Sequence, residues 1–175
     1  MNLTRLTYCP ANYESSIVEI AGGLGAINNL ESFGLKIGDK IFFKSKENGH
    51  GKVIVKHNDI EVKLGRELAS KILLECTEEL IITLNQVKVG DLVEVTKMGA
   101  KGDIRFRLLD MGLVKGVKVK VIRVAPLGDP IEILINGFNL SLRIAEAKGI
   151  FVKIVELDKS DRHNIKRWSI FKGRG

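Results

Sequence analysis

Two arginines in a short charged segment offer the clearest binding chemistry in this sequence. Arg105 and Arg107 are separated by one residue, in a stretch whose apolar residues recur at helical spacing. Guanidinium groups pair well with carboxylates and are enriched at protein interfaces, so these residues predict a face that binds an acidic partner. The alternative is a solvated helix face on which Arg107 pairs with Asp110 three residues later.

A turn rich in proline supplies a second candidate contact. Residues 125–130 read APLGDP, so Leu127 is flanked by turn formers and has little reason to be buried. We therefore interpret Leu127 as a docking residue. Pro126 and Pro130 also suit a purely structural role, because proline restricts φ and fixes the turn.

Motifs for catalysis or metal binding are not visible in the sequence. The segment GHGK at 49–52 lacks the glycine spacing and the Ser/Thr of a phosphate-binding loop. The three histidines, His50, His57 and His163, stand apart from one another and from cysteines at ligand spacing. We therefore expect no enzyme activity, no cofactor and no metal site, and we expect His57 to be a loop histidine in water.

Composition points to a cytoplasmic globular protein. The net charge is +7, and residues 81–175 hold 18 Lys/Arg against 10 Asp/Glu. The apolar runs are far shorter than the roughly 20 residues needed to cross a bilayer, and residues 1–5 do not open a signal peptide. Cys9 and Cys76 form no CxxC pair, which suits thiols in a reducing compartment.

Hydrophobic spacing predicts the elements that position the candidate residues. Ile104, Leu108 and Met111 recur at i, i+4 and i+7, which indicates one face of a helix of about two turns. We expect Asp103 to cap this helix and Gly112 to end it in the left-handed conformation. Five strands are predicted, at 92–95, 117–121, 131–135, 138–142 and 150–154. The third and fourth flank Asn136-Gly137, the pair best suited to a type I′ hairpin.

An internal repeat accounts for most of the chain. Residues 33–72 match 111–150 at a constant offset of 78, with glycines and apolar positions in register. Upstream, Val18–Ile20 matches Val93–Val95 at an offset of 75. Two repeats follow, with a boundary near 76–82, and five short strands with one small helix favour a compact barrel over a sandwich.

The motifs of the second repeat resemble the FeoA domain family. They are RLLDMGL at 107–113, APLGDP at 125–130 and LSLR at 140–143, and the resemblance spans about 82–156. It implies an SH3-like fold, similar to the C-terminal domain of iron-responsive DtxR-type repressors. It also implies a role beside FeoB, the membrane ferrous iron permease with a cytosolic GTP-binding domain. The first repeat lacks these motifs and is interpreted as degenerate.

The resemblance completes the predicted organisation. The fold is expected to be mainly β, with two tandem SH3-like small β-barrels that each carry a short helix. Residues 1–76 form the degenerate barrel, 77–81 a linker, 82–157 the FeoA domain and 158–175 a basic tail. The predicted function is that of a non-enzymatic cytoplasmic adaptor that binds the cytosolic domain of FeoB. Its predicted partner-binding residues are Arg105, Arg107, Asp110, Met111, Leu113, Pro126, Leu127, Gly128, Asp129 and Pro130.

Two alternatives remain open from the sequence. Residues 90–95, followed by Gly99 and Lys101-Gly102, resemble the KOW pattern of RNA-binding small barrels, and a basic second half would suit phosphates. Against this, few aromatic residues are available for stacking on bases, and the APLGDP turn is left unexplained. A metal-responsive regulatory module of the DtxR type is the other alternative, although no helix-turn-helix pattern is present.

The basic tail predicts weak contact with an anionic membrane surface, although a solvated chain end is the simpler interpretation. Lys166, Arg167, Trp168 and Phe171 suit a short amphipathic segment, and each basic residue near such a surface adds roughly 1 kcal/mol. We expect salt-sensitive binding to anionic vesicles that disappears when residues 158–175 are removed. An unchanged Trp168 emission on adding such vesicles at low salt would show that the tail makes no such contact.

Overall fold

The computed structural model describes residues 2–46, 51–158 and 160, which fall into two units. The first holds the described residues up to Glu78, with residue 160, and the second is Glu79–Asp158. No helix within this described part of the chain is long and apolar enough to cross a membrane.

The first unit is built on one six-stranded antiparallel sheet. Its elements are β1 (Asn2–Arg5), a 3₁₀ turn (Leu6–Tyr8), β2 (Tyr13–Ile20), α1 (Gly23–Ser32), β3 (Lys40–Lys46), β4 (Val53–His57), β5 (Ile60–Leu64), α2 (Arg66–Ala69) and β6 (Ile72–Cys76). The strands lie side by side in the order β1-β6-β2-β3-β4-β5. Consecutive strands from β2 to β5 are therefore neighbours, and the last strand returns between β1 and β2.

The second unit repeats this arrangement. Its elements are β7 (Ile81–Thr83), a 3₁₀ turn (Leu84–Gln86), β8 (Leu92–Met98), α3 (Gly102–Asp110), β9 (Lys118–Val124), β10 (Ile131–Ile135), β11 (Phe138–Leu142), α4 (Ile144–Ala147) and β12 (Ile150–Glu156). The strand order, β7-β12-β8-β9-β10-β11, is that of the first unit. The predicted tandem, mainly β architecture is confirmed.

Tight hairpins fix the register of two strand pairs. Asn136 and Gly137 have φ of 48° and 87°, and Ile135 faces Phe138 across the turn. Positive φ at both central residues defines the type I′ turn that the sequence predicted. The first unit makes the same turn with Asn58 and Asp59, at φ of 47° and 64°.

The repeat keeps one offset further upstream than the sequence comparison indicated. The N–H of Ile17 donates to the carbonyl of Asp39 at 2.8 Å, and the N–H of Val95 donates to that of Val117 at 2.9 Å. Both donors and both acceptors are 78 residues apart, so the predicted offset of 75 in this region was wrong. The strand pairings of the two repeats therefore correspond at the single offset of 78, without a three-residue difference in loop length. The offset of 75 rests on three residues alone, Val-Glu-Ile at 18–20 and Val-Glu-Val at 93–95.

The first strand of each unit was not predicted from the sequence. β1 and β7 contain four and three residues, and they pair with β6 and β12, the last strands of their own units. A segment this short carries no recognisable periodicity. Ile81 opens β7, so the last residue of the predicted linker 77–81 is part of the second sheet.

Alternation along the strands builds the core. In β9, Val119 and Val121 are buried, whereas Lys118 and Lys120 are exposed on the other face. The helices and their flanking loops close the barrels with side chains that are 0% exposed, namely Leu108, Leu113 and Ala147 in the second unit and their equivalents Leu30, Leu35 and Ala69 in the first. The same apolar framework therefore supports both repeats.

Both cysteines are free and buried in the first unit. The sulfur of Cys9 lies 3.6 Å from the carbonyl oxygen of Arg5. Burial raises the pKa of the Cys9 thiol to about 12, with a smaller contribution from Cys76. Since the thiolate is the reactive form, Cys9 is a packing residue rather than a nucleophile.

Leu108 and Leu30 provide matched tests of the shared core. We expect Leu108→Ala to lower the free energy of unfolding of the second unit by about 2–5 kcal/mol, because truncation leaves a cavity. Leu30→Ala should have a similar effect on the first unit. Amide hydrogen exchange in β8–β10 and in β2–β4 measures the two effects separately. Val114→Ala, at a site 46% exposed, is the control, and an equal effect of Val114→Ala and Leu108→Ala would contradict the assignment.

Candidate partner-binding surface

Helix α3 carries both candidate arginines, and its N-terminus differs from the prediction. The helix begins at Gly102, and Lys101 occupies the N-cap position without a side-chain hydrogen bond. Asp103 was expected at the N-cap but lies in the first turn. Its carboxylate is still favourably placed there, because the N-terminal end of a helix carries partial positive charge.

A glycine turn ends α3 and returns the chain to the core. Gly112 has φ of 88°, and a Cβ at this position would lie 2.9 Å from Nδ2 of Asn136 in the hairpin, so no other residue fits without strain. The N–H of Leu113 then donates to the carbonyl of Leu108 at 3.0 Å. Leu113 is 0% exposed, so its predicted partner contact was wrong: its side chain forms part of the core. Met111 is only half-buried.

Both arginines of α3 bind acceptors within their own unit. A terminal nitrogen of Arg105 donates to the carbonyl of Met98 at 3.1 Å, and Arg107 forms an ion pair with Glu146 of α4. Among the described residues Arg107 forms no ion pair with Asp110, so the expected pairing within the helix was wrong. The two guanidinium groups therefore hold α3 in place, although the Arg107 side chain stays 50% exposed.

Backbone hydrogen bonds brace the proline turn, which exposes Leu127. The N–H of Ala125 donates to the carbonyl of Pro130 at 3.0 Å, and that of Gly128 donates to the carbonyl of Ala125 at 2.7 Å. Pro126 and Pro130 are exposed. Leu127 is 93% exposed, as its sequence context predicted. The backbone bonds thus hold a leucine in water with little conformational freedom.

Short helix α4 connects the turn to α3. Oδ1 of Asp129 accepts a hydrogen bond from the N–H of Ile144 at 3.1 Å. One carboxylate oxygen of Glu146 binds Arg107, and the other accepts from the N–H of Arg143 at 2.9 Å. Helix α3 and the proline turn are consequently fixed to the same four-residue helix. We call α3, the 125–130 turn and α4 together the braced surface.

Glu146, the residue that joins these elements, is absent from the residues predicted from the sequence. Its position three residues after Arg143, at the start of a short helix, is that of the acidic residue in a capping box. That spacing was the available signal. Phe106, which is 65% exposed, is also absent from that prediction. Ile104 was predicted on the core side of the helix but is 48% exposed.

The first repeat lacks the braces of the second. The residues 78 positions before Arg107, Asp129 and Glu146 are Asn29, Gly51 and Leu68. None of these residues can form the ion pair or the carboxylate bond described above. The degenerate character predicted for the first repeat thus has a structural counterpart at this surface.

His57 of the first unit is not the solvated loop histidine that was expected. It ends β4, and its side chain is only 16% exposed. Its Nδ1 donates to the carbonyl of Lys40 at 2.9 Å, and its Nε2 lies 3.4 Å from Oδ2 of Asp39. The hairpin turn after His57 is therefore attached to the start of β3. The structure gives His57 a role in bracing the barrel.

Within the described residues, no three or more His, Cys, Asp or Glu side chains cluster in a way that could hold a metal ion. The predicted membrane contacts Lys166, Arg167, Trp168 and Phe171 lie outside these residues. The predicted residues that the structure does bring together are those of the braced surface. The fold defines a tandem protein of two small β units that share one strand order.

Comparison with known proteins assigns the family. The FeoA domain family matches residues 4–76 and 82–154, which is more than half of the chain. The chain therefore belongs to the FeoA domain family, whose members are associated with ferrous iron transport. The two matches start 78 residues apart, as the hydrogen-bond register requires. The predicted tandem organisation of two FeoA domains is confirmed.

Curated relatives include single-domain and fused proteins. A Fe(2+) transport protein A/Fe(2+) transporter FeoB fusion protein from Porphyromonas gingivalis is 35% identical over 72 residues, which are 41% of this chain and 8% of the fusion protein. A putative Fe(2+) transport protein A from Methanocaldococcus jannaschii is 34% identical over 73 residues, which are 42% of this chain and 87% of that protein. This chain thus spans only a small part of the fusion protein.

A solved structure covers almost the whole chain. The solution structure of iron(II) transport protein A from Clostridium thermocellum aligns with a TM-score of 0.55 over 90% of each chain, at 17% identity. Identity this low shows a common fold and no more. The likeness in fold therefore extends beyond a single domain.

Coupling between Arg107 and Glu146 tests the braced surface. We expect Arg107→Ala and Glu146→Ala each to destabilise the second unit, and the double variant to reveal a coupling energy of about 0.5–1 kcal/mol, since one partner is half exposed and the other is largely covered. Urea unfolding measures the three differences. The control is Arg123→Ala, which removes an exposed ion pair with Glu132 on the sheet. Arg123 does not pair with Glu146, so the effects of Arg123→Ala and Glu146→Ala should be additive. Strict additivity of Arg107→Ala and Glu146→Ala would show that the ion pair contributes nothing.

Proposed function

We propose that this chain is a non-enzymatic adaptor of ferrous iron uptake that works in the cytoplasm and binds the cytosolic GTP-binding region of a FeoB permease. The observation that carries the proposal is the relative whose name joins Fe(2+) transport protein A to FeoB in one polypeptide. Fusion keeps two domains at high effective concentration. Where the two are separate chains, a direct contact must supply what the covalent link supplies in the fusion protein.

The braced surface of the second repeat supports a contact of this kind. Leu127 is fully exposed on a turn held by backbone hydrogen bonds, and α3 is tied to the same helix as that turn. A surface that is already rigid loses little conformational entropy on binding. We propose the following contact residues: Arg105, Arg107, Asp110, Met111, Pro126, Leu127, Gly128, Asp129 and Pro130.

A different role suits the first repeat. It has the same sheet order and the same buried leucines, but Asn29 and Leu68 stand where the second repeat has Arg107 and Glu146. Its core therefore remains intact while its equivalent surface lacks the braces. We propose that the first repeat acts as a scaffold and that the second makes the contact with FeoB.

Leu127→Asp tests the proposed contact. In the complex, the carboxylate introduced at position 127 would lose its water without gaining a partner. The affinity for the purified cytosolic region of FeoB should therefore fall about tenfold or more. Isothermal titration calorimetry measures the change. Ile60→Asp is the matched control, because Ile60 is 66% exposed but lies in the first unit, and it should leave binding unchanged. If the wild-type chain fails to bind, the proposed function is wrong. If Leu127→Asp binds as well as wild type, the proposed contact surface is wrong.

A further inference from the structure

One ridge of α3 points away from the barrel and carries an aromatic residue between two acids. Asp103, Phe106 and Asp110 follow one another at i, i+3 and i+7, so they lie along one side of the helix. Leu108, the buried residue of the helix, is two positions from Phe106 and so lies nearly opposite it. Phe106 is 65% exposed, and both aspartates are exposed. We call these three residues the outward ridge.

The fold does not require these residues, as the first repeat shows. The equivalent positions in α1 are Gly25, Asn28 and Ser32, and all three are exposed as well. The same helix, on the same sheet, with the same buried leucine, is thus formed without an aromatic or an acidic residue on this side. The outward ridge distinguishes the repeat that we propose to be functional from the one that we propose to be a scaffold.

Asp110 is poorly placed for the stability of its own helix. It is the last residue of α3, where the free carbonyl groups create partial negative charge that disfavours a carboxylate. Within the described residues it makes no ion pair, since Arg107 is directed to Glu146. In α1 the equivalent Ser32 donates a hydrogen bond to the carbonyl of Asn29 at 2.6 Å and so stabilises the helix end. The unit itself therefore gives no structural reason for a carboxylate at position 110, whereas contact with a positively charged partner would give one.

We propose that the outward ridge inserts Phe106 into an apolar pocket on the cytosolic region of FeoB, and that Lys or Arg side chains at the rim of that pocket pair with Asp103 and Asp110. This inference rests on the proposed function and names the chemistry of its contact. Aromatic residues that enter a desolvated pocket dominate many interfaces, while opposite charges around them set orientation and association rate. The bonds of Arg105 to Met98 and of Arg107 to Glu146 hold the ridge rigid, which favours such an anchor.

The test replaces each ridge residue by the one that the first repeat has. Phe106→Asn should weaken binding to the purified cytosolic region of FeoB about tenfold or more, and Asp110→Ser should weaken it a few-fold and reduce its dependence on salt. Asn28→Ala, at the equivalent position of α1, is the control and should leave binding unchanged. Circular dichroism and hydrogen exchange show that each variant is folded, as the use of residues already tolerated on α1 leads us to expect.

The outcomes separate the two proposals. If Phe106→Asn binds as wild type while Leu127→Asp does not, the ridge inference is overturned and the proposed function stands. If the wild-type chain shows no binding to the cytosolic region of FeoB at about 100 μM, the Kd is too high for a specific adaptor. That result contradicts both the proposed function and the ridge inference. Sedimentation equilibrium provides the last comparison. If wild type self-associates and Phe106→Asn does not, the pocket belongs to a second copy of this chain, and the inference is overturned.

Discussion

The structure of each repeat depends on a pair of buried leucines at the end of its helix. In both units a glycine with positive φ reverses the chain, and the leucine after it donates its N–H to the carbonyl of the leucine that anchors the helix. In α3 that anchor, Leu108, is the only buried helix residue. Because so few positions fasten the helix to the barrel, the rest of its surface is free to change without altering the core. This constraint explains how two repeats share a fold and differ so widely in surface chemistry.

Polar braces show how far the two repeats have diverged on that common core. The second uses Glu146 to bind Arg107 and the N–H of Arg143, which fixes two helices. The first instead joins His57 to Asp39 and to the carbonyl of Lys40, which fixes a hairpin to the start of β3. The equivalents of Asp39 and His57 in the second repeat are Val117 and Ile135, so neither brace is shared. Among the described residues, these polar bonds stiffen the first repeat at its β4–β5 hairpin and the second around α3 and the turn.

Local sequence signals predicted much of the fold, because they reflect local physical chemistry. Asn136-Gly137 specified its hairpin through the positive φ that both residues tolerate, and alternating valines specified β9. β1 and β7 were missed because three or four residues owe their strand conformation to a distant partner strand. The surface was harder to predict. Burial of Leu113, pairing of Arg107 with Glu146 and exposure of Phe106 depend on how α3 lies on the sheet, which helical periodicity does not determine.

Internal pairing changes what the arginines of α3 can contribute to an interface. A guanidinium that already binds a carboxylate or a carbonyl within its own unit has less to gain from a partner, and breaking its internal bond to make a new one would offset the gain. In the interface that we propose, Arg105 and Arg107 would therefore act first as positioning residues, and the half-exposed head of Arg107 would add electrostatic orientation. Apolar side chains in the same region, Leu127 and Phe106, have no such internal bond to lose, so contact with a partner removes their surface from water at little cost. We therefore expect the apolar residues to supply most of the binding affinity at this surface, and the charged residues to set the orientation of the partner.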